Sequence, residues 1–362
     1  MITHLRTGSC GESRRLHVPF VACARKIYKI YRRGSRVAED RIESHYGLPS
    51  GTVATVANAT WGLALALAAQ CAKPGTLCAM PAWTFVASAH AAVNAGLVPY
   101  FLDVDPDTWA IGIDEVREAI RRAPAPVGAV MPVFPFGRPI SLAGWDAFRA
   151  ETGLAVVIDA AAGFESLVPG VAPAVVSLHA TKVLGTGEGG FVVSTERAIV
   201  DDVHRRSVFG FRGSREAAVG ATNAKMSEYH AAVGLASLDE WRDTRADWMT
   251  VGETYRSAIG QANDVCLQTG YGSAWVASTC TLHIAGSAAA PIERALAAKG
   301  METRRWWGGG AHAHPATAGF PRTPLPVTER LANSTIGVPC YRDLAPATID
   351  RIVDIVRAAI AT

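Results

Sequence analysis

Short, predominantly apolar segments without a polar face recur through the first half of this chain, each followed by a stretch with helical composition. That alternation constrains the fold more than any other feature. TVATVAN (52–58), TLCAMP (76–81), LVPYFLDVD (97–105), VGAVMPV (127–133) and LAVVID (154–159) read as strands. Between them, ATWGLALALAAQCA from Ala59, TFVASAHAAVNAG (84–96), IDEVREAIRRA (113–123) and SLAGWDAFRAETG (141–153) read as helices. An earlier helix is expected over VAEDRIESHY (37–46), stopped by Gly47. Strands with no polar face need cover on both sides, and helical crossovers supply it. The expected architecture is therefore α/β, with a mostly parallel seven-stranded sheet flanked by helices. In such sheets ligands gather beyond the carboxyl ends of the strands.

At 362 residues the chain exceeds one ordinary core. A large domain is expected over residues 1–250 and a smaller α+β domain over 251–362. The latter is read as helices at Val251–Ile259, Ile292–Lys299 and Ala347–Ile360, with strands at Ala274–Ala277 and Thr281–Ala285. Its loop RRWWGGGAHAHPATAGF is expected to fold back over the mouth of the larger body. Residues 1–34 yield no reading. The formal charge of +3 is small for this length, and no basic run interleaved with aromatics occurs, so nucleic acid is not an expected partner. Seven scattered cysteines without a C-x-x-C suit reduced thiols better than a disulfide frame or a zinc site. No run of about 18 apolar residues suggests a membrane span, and the first twenty residues lack a secretory pattern. A cytoplasmic protein is expected.

The stretch VVSLHATKVLGTGEGGFVV (175–193) gathers the chemistry. A strand ends at Ser177, a turn carries His179, Thr181 and Lys182, a glycine-rich loop follows, and a second strand returns. Desolvation there disfavours the ammonium, and a lysine with a lowered pKa is an amine nucleophile toward carbonyls. Taken alone, Lys182 reads as a turn lysine reaching for water, and the rest of the chain reverses that reading. Asp159 ends its strand before three alanines, a costly place for a carboxylate unless a cation or donor meets it. Taken alone, it reads more commonly as a helix cap. Ala59 and Thr60 stand where a strand feeds a helix N-terminus, whose free N–H groups attract phosphate, although Thr60 serves equally as a plain N-cap. An anion site, a buried carboxylate, an isolated lysine and the aromatic Phe85 together make the inventory required by pyridoxal 5′-phosphate (PLP).

In these motifs the chain resembles the DegT/DnrJ/StrS sugar aminotransferases, a family within the fold-type-I PLP-dependent superfamily. SLHATK (177–182) and GEGG (187–190) match the family's lysine signature, and Asn58-Ala59-Thr60 its phosphate turn. The resemblance implies that Lys182 forms the Schiff base, that Ala59, Thr60 and Ser177 hold the phosphate, and that Phe85 and Ala161 flank the ring. It further implies that Asp159 faces the ring nitrogen. GATNAKMSE (220–228) matches the family's asparagine loop, which implies that Asn223 reaches the neighbouring subunit's phosphate in a homodimer with shared active sites. The implied reaction is ping-pong. An amino acid, glutamate expected, gives its amino group to the cofactor, which then aminates a nucleotide-linked keto-deoxy sugar, with Lys182 moving the proton.

The chain also departs from the family. Its usual glutamine is Ala162, its usual histidine is Phe164, and the tyrosine and arginine of the asparagine loop are Ala224 and Lys225. Substrate-contact candidates are Arg206, Lys225, Trp307 and His312, with Arg205, Arg212 and Trp306 as further possibilities. His312 and His314 form an H-x-H without a nearby carboxylate, so no metal site is expected. Family members carrying histidine at the lysine position are dehydratases, and Lys182 favours transamination. A keto-inositol acceptor and a regulator that binds the cofactor without turnover remain alternatives.

Overall fold

The computed structural model describes residues 34–211, 213–260, 264–286 and 288–360. The unread N-terminal stretch, including Cys10 and Cys23, lies outside the described residues except for Gly34, and so does Arg212.

The first helix, α1 (Gly34–His45), leads to β1 (Val53–Val56), α2 (Ala59–Ala69), β2 (Leu77–Pro81), α3 (Val86–Asn94), β3 (Val98–Leu102), α4 (Ile113–Arg121) and β4 (Val127–Val130). Helix α5 (Leu142–Thr152) then precedes β5 (Ala155–Val156) and β6 (Ile158–Asp159), followed by β7 (Ala174–Ser177), β8 (Gly190–Val193) and α6 (Arg197–Ser207). β5 and β6 are two halves of one strand that changes partner at Val157. β5 pairs with β4 and β6 with β7. Val157 N–H donates to Val130 O, and a bridge joins Val133 to Asp159, so the halves share one sheet. Counting them as one strand, the order is β3-β2-β4-β5/β6-β7-β8-β1, and β8 alone runs antiparallel to its neighbours.

Alternate residues of these strands enter different cores, as a pleat requires. Val53, Val156, Ile158, Ala174, Val176, Phe191 and Val193 face one core, joined by Trp145, Phe148, Leu235 and Trp241 from helices on that side. Val56, Met80, Met131, Val157, Val175 and Val192 face the other, with Leu63, Leu67, Ala89 and Val200. Both faces are dry, which explains why the sequence shows apolar runs rather than alternation. Each large side chain so buried, such as Phe191 or Ile158, contributes roughly 1.5–3 kcal/mol. Helix α2 lies so close to the sheet that a Cβ at Gly62 would stand 2.7 Å from Val175 Cγ1.

Helix α7 (Glu228–Asp239) is capped by the Ser227 hydroxyl and precedes the 19-residue α8 (Trp241–Ile259). The C-terminal region holds β9 (Val265–Leu267), β10 (Cys280–Ile284), α9 (Ala290–Ala297), α10 (Pro326–Ser334), β11 (Thr335–Val338) and α11 (Pro346–Ile360). Its antiparallel sheet has the order β11-β10-β9. Several sequence readings need correction here. Val251–Ile259 is the second half of α8, whose Trp241 and Trp248 enter a large-sheet core while Val251, Tyr255 and Ile259 enter the C-terminal one. Residues 274–277 form no strand, because the chain turns there on a Tyr271–Trp275 bridge. Strands β9 and β11 and helix α10 were not expected.

The segment between α9 and α10 packs against the large sheet. Phe101 N–H donates to Pro321 O and Thr323 N–H donates to Phe101 O, covering the edge strand β3, while Ala311 N–H donates to Ala82 O just past β2. The Asp103 carboxylate accepts from Val327 N–H and Thr328 N–H at 2.8 Å each and thereby caps α10.

Candidate functional site

The strand register assembles one end of the sheet. Val56, Gly190 and Ser177 stand side by side across β1, β8 and β7, and Ser177 N–H donates to Ala161 O at 3.2 Å. The α2 N-terminus lies over this row. A Cβ at Gly190 would meet Ala59 N at 2.9 Å and Val176 O at 2.8 Å, so only glycine lets the helix start approach the strand. The N-cap of α2 is Asn58, whose Oδ1 accepts from Trp61 N–H at 2.9 Å. Thr60 therefore does not cap the helix, and its hydroxyl has no hydrogen-bond partner among the described residues. A helix dipole, free N–H groups, an unused hydroxyl and the Ser177 Oγ, which accepts from His179 N–H at 3.3 Å, form a ready anion site.

Next to this row stands Asp159, 6% exposed. Its Oδ2 accepts from the Ser88 hydroxyl at 2.7 Å and its Oδ1 from Ala161 N–H at 3.1 Å. Burial pushes its carboxyl up, while Ser88, Ala161 and the charge of Lys182 hold it down. Lys182 shows the reciprocal effect. Burial pushes its ammonium down, and Asp159 opposes the shift. The two groups thus lie within electrostatic reach across one space. Lys182 Nζ has no hydrogen bond or ion pair among the described residues, which leaves the amine available.

Its loop is supported from below. Leu178 N–H donates to Gly189 O, Ala180 N–H to Gly187 O, and Ser237 Oγ on α7 to Gly185 O at 3.1 Å. Phe85, on the last residue before α3, exposes 56% of its surface, in contrast to the buried aromatics that fill the cores. A planar, anionic-tailed, electrophilic cofactor fits this set: an anion site, a bare aromatic face, a buried carboxylate and a free amine. PLP has those features.

The other sequence candidates are spread more widely. Asn223 is exposed; its Oδ1 accepts from Lys225 Nζ at 2.5 Å, and Lys225 also lies over the Phe209 ring at 5.2 Å. The neighbouring Ala224 is fully buried, its carbonyl accepting from Ala57 N–H at 2.6 Å, so the asparagine loop is tied to the start of α2. Arg206 Nε pairs with Asp202 at 2.6 Å, and its Nη1 donates to Gly220 O at 3.2 Å, which engages it in holding that loop. Trp307 stacks on Phe136 at 3.8 Å and meets Trp83 edge-on at 5.3 Å. His312 is 8% exposed beside Phe101, with an unpartnered Nδ1 and a pKa lowered by burial. His179 bonds Thr181 Oγ1 at 2.9 Å.

Phe164, in place of the family histidine, points into the core and stacks on His45 at 4.8 Å. Ser88 and Thr84 escaped the sequence reading. Their signal was the i, i+4 pair of hydroxyls in an otherwise alanine-rich helix start.

A mostly parallel seven-stranded sheet with a lysine loop beside a buried aspartate defines the fold-type-I architecture of PLP-dependent enzymes. Residues 30–357 match the model of the DegT/DnrJ/EryC1/StrS aminotransferase family, and the chain belongs to that family. Accordingly it is a PLP-dependent enzyme of the aminotransferase class. It is 31% identical to protein Rv3402c of Mycobacterium tuberculosis (strain ATCC 25618 / H37Rv) over 91% of this chain and 82% of that protein. Among solved structures it is similar to one assigned as a PLP-dependent aminotransferase from Bacillus cereus ATCC 10987. The TM-score is 0.86 at 26% identity, covering 94% of this chain and 97% of that one. It is also similar to DesI crystallised in the presence of its TDP-sugar product. There the TM-score is 0.82 at 28% identity, covering 94% and 90%. Among the described residues no helix is long and apolar enough to cross a membrane.

Proposed function

We propose that this chain moves an amino group from an amino acid, glutamate foremost, to the keto carbon of a nucleotide-linked deoxy sugar. The observation that carries this reading is the buried Asp159 carboxylate, within electrostatic reach of a Lys182 amine unpaired among the described residues, beside the anion site at the α2 N-terminus. Similarity to a protein crystallised with its TDP-sugar product supports the acceptor class. In this reading Ala59, Thr60 and Ser177 hold the phosphate, Phe85 and Ala161 flank the ring, and Asp159 keeps the ring nitrogen protonated. Bound PLP supplies an electron-withdrawing ring that spreads the electron pair left at the donor's Cα. Lys182, its neutral form favoured by burial, would take the proton from that Cα as general base and deliver it to the cofactor's C4′ carbon as general acid. Arg206, Lys225, Trp307 and His312 are the proposed substrate contacts. The free thiols of Cys71, Cys78, Cys266, Cys280 and Cys340 suit a cytoplasmic setting.

The decisive experiment loads the enzyme with glutamate and then offers TDP-, UDP- and GDP-linked keto sugars alongside keto-inositol. Return of the visible cofactor band with one nucleotide sugar supports the reading. Return with keto-inositol alone replaces the acceptor class, and failure of every amino donor to bleach the band makes the chain a regulator.

A homodimer completes the proposal. Asn223, Phe209, Phe211 and Tyr229 are exposed around the α2 end of the site, and a second copy covering them would bring its Asn223 to the phosphate. Mixing Lys182→Ala and Asn223→Ala proteins at limiting cofactor should restore about one quarter of wild-type activity, because half of the randomly paired dimers hold one intact site. A monomer in light scattering, or no gain on mixing, sinks the shared site.

A further inference from the structure

Beneath the proposed ring site runs a chain of three buried oxygens. Thr84 Oγ1 lies 2.9 Å from Ser88 Oγ, and Ser88 Oγ donates to Asp159 Oδ2 at 2.7 Å. Thr84 is 1% exposed, Ser88 is fully buried and Asp159 is 6% exposed. The proton count fixes the direction of the chain. Ser88 has one hydroxyl proton, and the acceptor-only carboxylate takes it, so Thr84 must donate to Ser88.

A serine inside a helix ordinarily turns its hydroxyl back to the carbonyl four residues earlier or out to water. Ser88 does neither and reaches across to the sheet. Residues 87, 89, 91 and 92 of the same helix are all alanine, so packing alone asks for no hydroxyl at position 88. The same turn carries Phe85, exposed on its other side. One helix start thus bears both the bare aromatic face and the group that holds the carboxylate.

We propose that Ser88, oriented by Thr84, is a positioning residue that keeps Asp159 ionised and fixed in place to meet the protonated ring nitrogen of the cofactor. The inference rests on the assignment of Asp159 as the ring-nitrogen partner. The donor set carries it: among the described residues Asp159 receives two hydrogen bonds, one from Ser88 and the other from the Ala161 N–H. Short hydrogen bonds from hydroxyl to carboxylate are the stronger kind. Without Ser88, burial is opposed by one backbone N–H and the charge of Lys182, and the carboxyl moves further up.

The test is retention of PLP by the holoprotein between about pH 5 and about pH 9, read from the visible band after dialysis. A hydrogen bond to a charged group is worth enough to move a titration by about one to two pH units. Ser88→Ala raises the acid dissociation point of Asp159, so the acid limb of retention should move up by that amount while retention at high pH recovers. Ser88→Thr keeps the hydroxyl and should keep the wild-type limb. Thr84→Val should move the limb in the same direction by less. It carries the test if Ser88→Ala does not fold, and an unmoved limb in that case overturns the proposal. An unmoved limb in Ser88→Ala also overturns it, as does a loss that is uniform with pH and not rescued by threonine, which is the mark of packing alone. A wild type without a Lys182-dependent band overturns the cofactor assignment itself, and this inference with it.

Discussion

Lys182→Ala is expected to abolish the borohydride-sensitive visible band and to lower transamination on the order of 10⁴-fold, because one amine serves both as the cofactor's covalent anchor and as the proton carrier. The fold should survive. Lys182 Nζ has no hydrogen bond or ion pair among the described residues, and its loop is held by Leu178, Ala180, Ser237 and backbone carbonyls instead. What the substitution removes, besides a partly desolvated amine, is its electrostatic hold on Asp159. The measurements are the absorption spectrum of the purified variant, its thermal midpoint and its rate with glutamate. An unchanged spectrum together with unchanged turnover would falsify the assignment of Lys182.

Asp159→Asn is expected to follow closely, with a fall of roughly 10²–10⁴-fold in kcat and little change in donor KM. The amide preserves shape but cannot hold a positive ring nitrogen, and loss of one partner of a buried ion pair costs about 3–5 kcal/mol, each 1.36 kcal/mol being a factor of ten. Its environment limits the damage to charge. An asparagine carbonyl still accepts from Ser88 or Ala161, and the neighbouring Ala160 and Ile158 are wholly buried in the sheet either way. A fall confined to KM, with kcat intact, would assign Asp159 to substrate binding rather than to the ring.

The two residues differ in how far the sequence could expose them. Lys182 sits in a motif whose order, SLHATK before GEGG, is specific, so its role could be expected from the letters alone. Asp159 could be suspected because a carboxylate before three alanines is costly, but what meets it was invisible. Ser88 lies 71 residues away along the chain, and only the pairing of β2 with β4 and of β4 with β5 brings α3 over that strand end. The N-cap reading of Thr60 yields to Asn58 for a similar reason. N-cap preference ranks Asn only somewhat above Thr, whereas the extended backbone and side-chain bond of Asn58 decide between them.

The C-terminal third was least legible. Strands β9 and β11 have four residues or fewer, too short for periodicity to register, and α8 conceals its change of core because one continuous apolar stripe serves both. Arg206 reads as an anion ligand in the sequence, which does not show the partners that it also has. Asp202, one turn earlier on α6, and the Gly220 carbonyl engage its guanidinium in bracing the asparagine loop. Trp307 likewise gives one ring face to Phe136.

The sequence by itself determined the layered α/β architecture, the strand alternation and the lysine loop. Apolar periodicity and glycine placement are local properties, and they act through residues a few positions apart. Only the tertiary structure decided which oxygen holds the carboxylate, which hydroxyl at the α2 start stays free, and which arginines and tryptophans are already engaged. Those outcomes depend on register across the sheet and on the return of residues 311–323 to its edge, which are long-range choices that no neighbouring residue encodes.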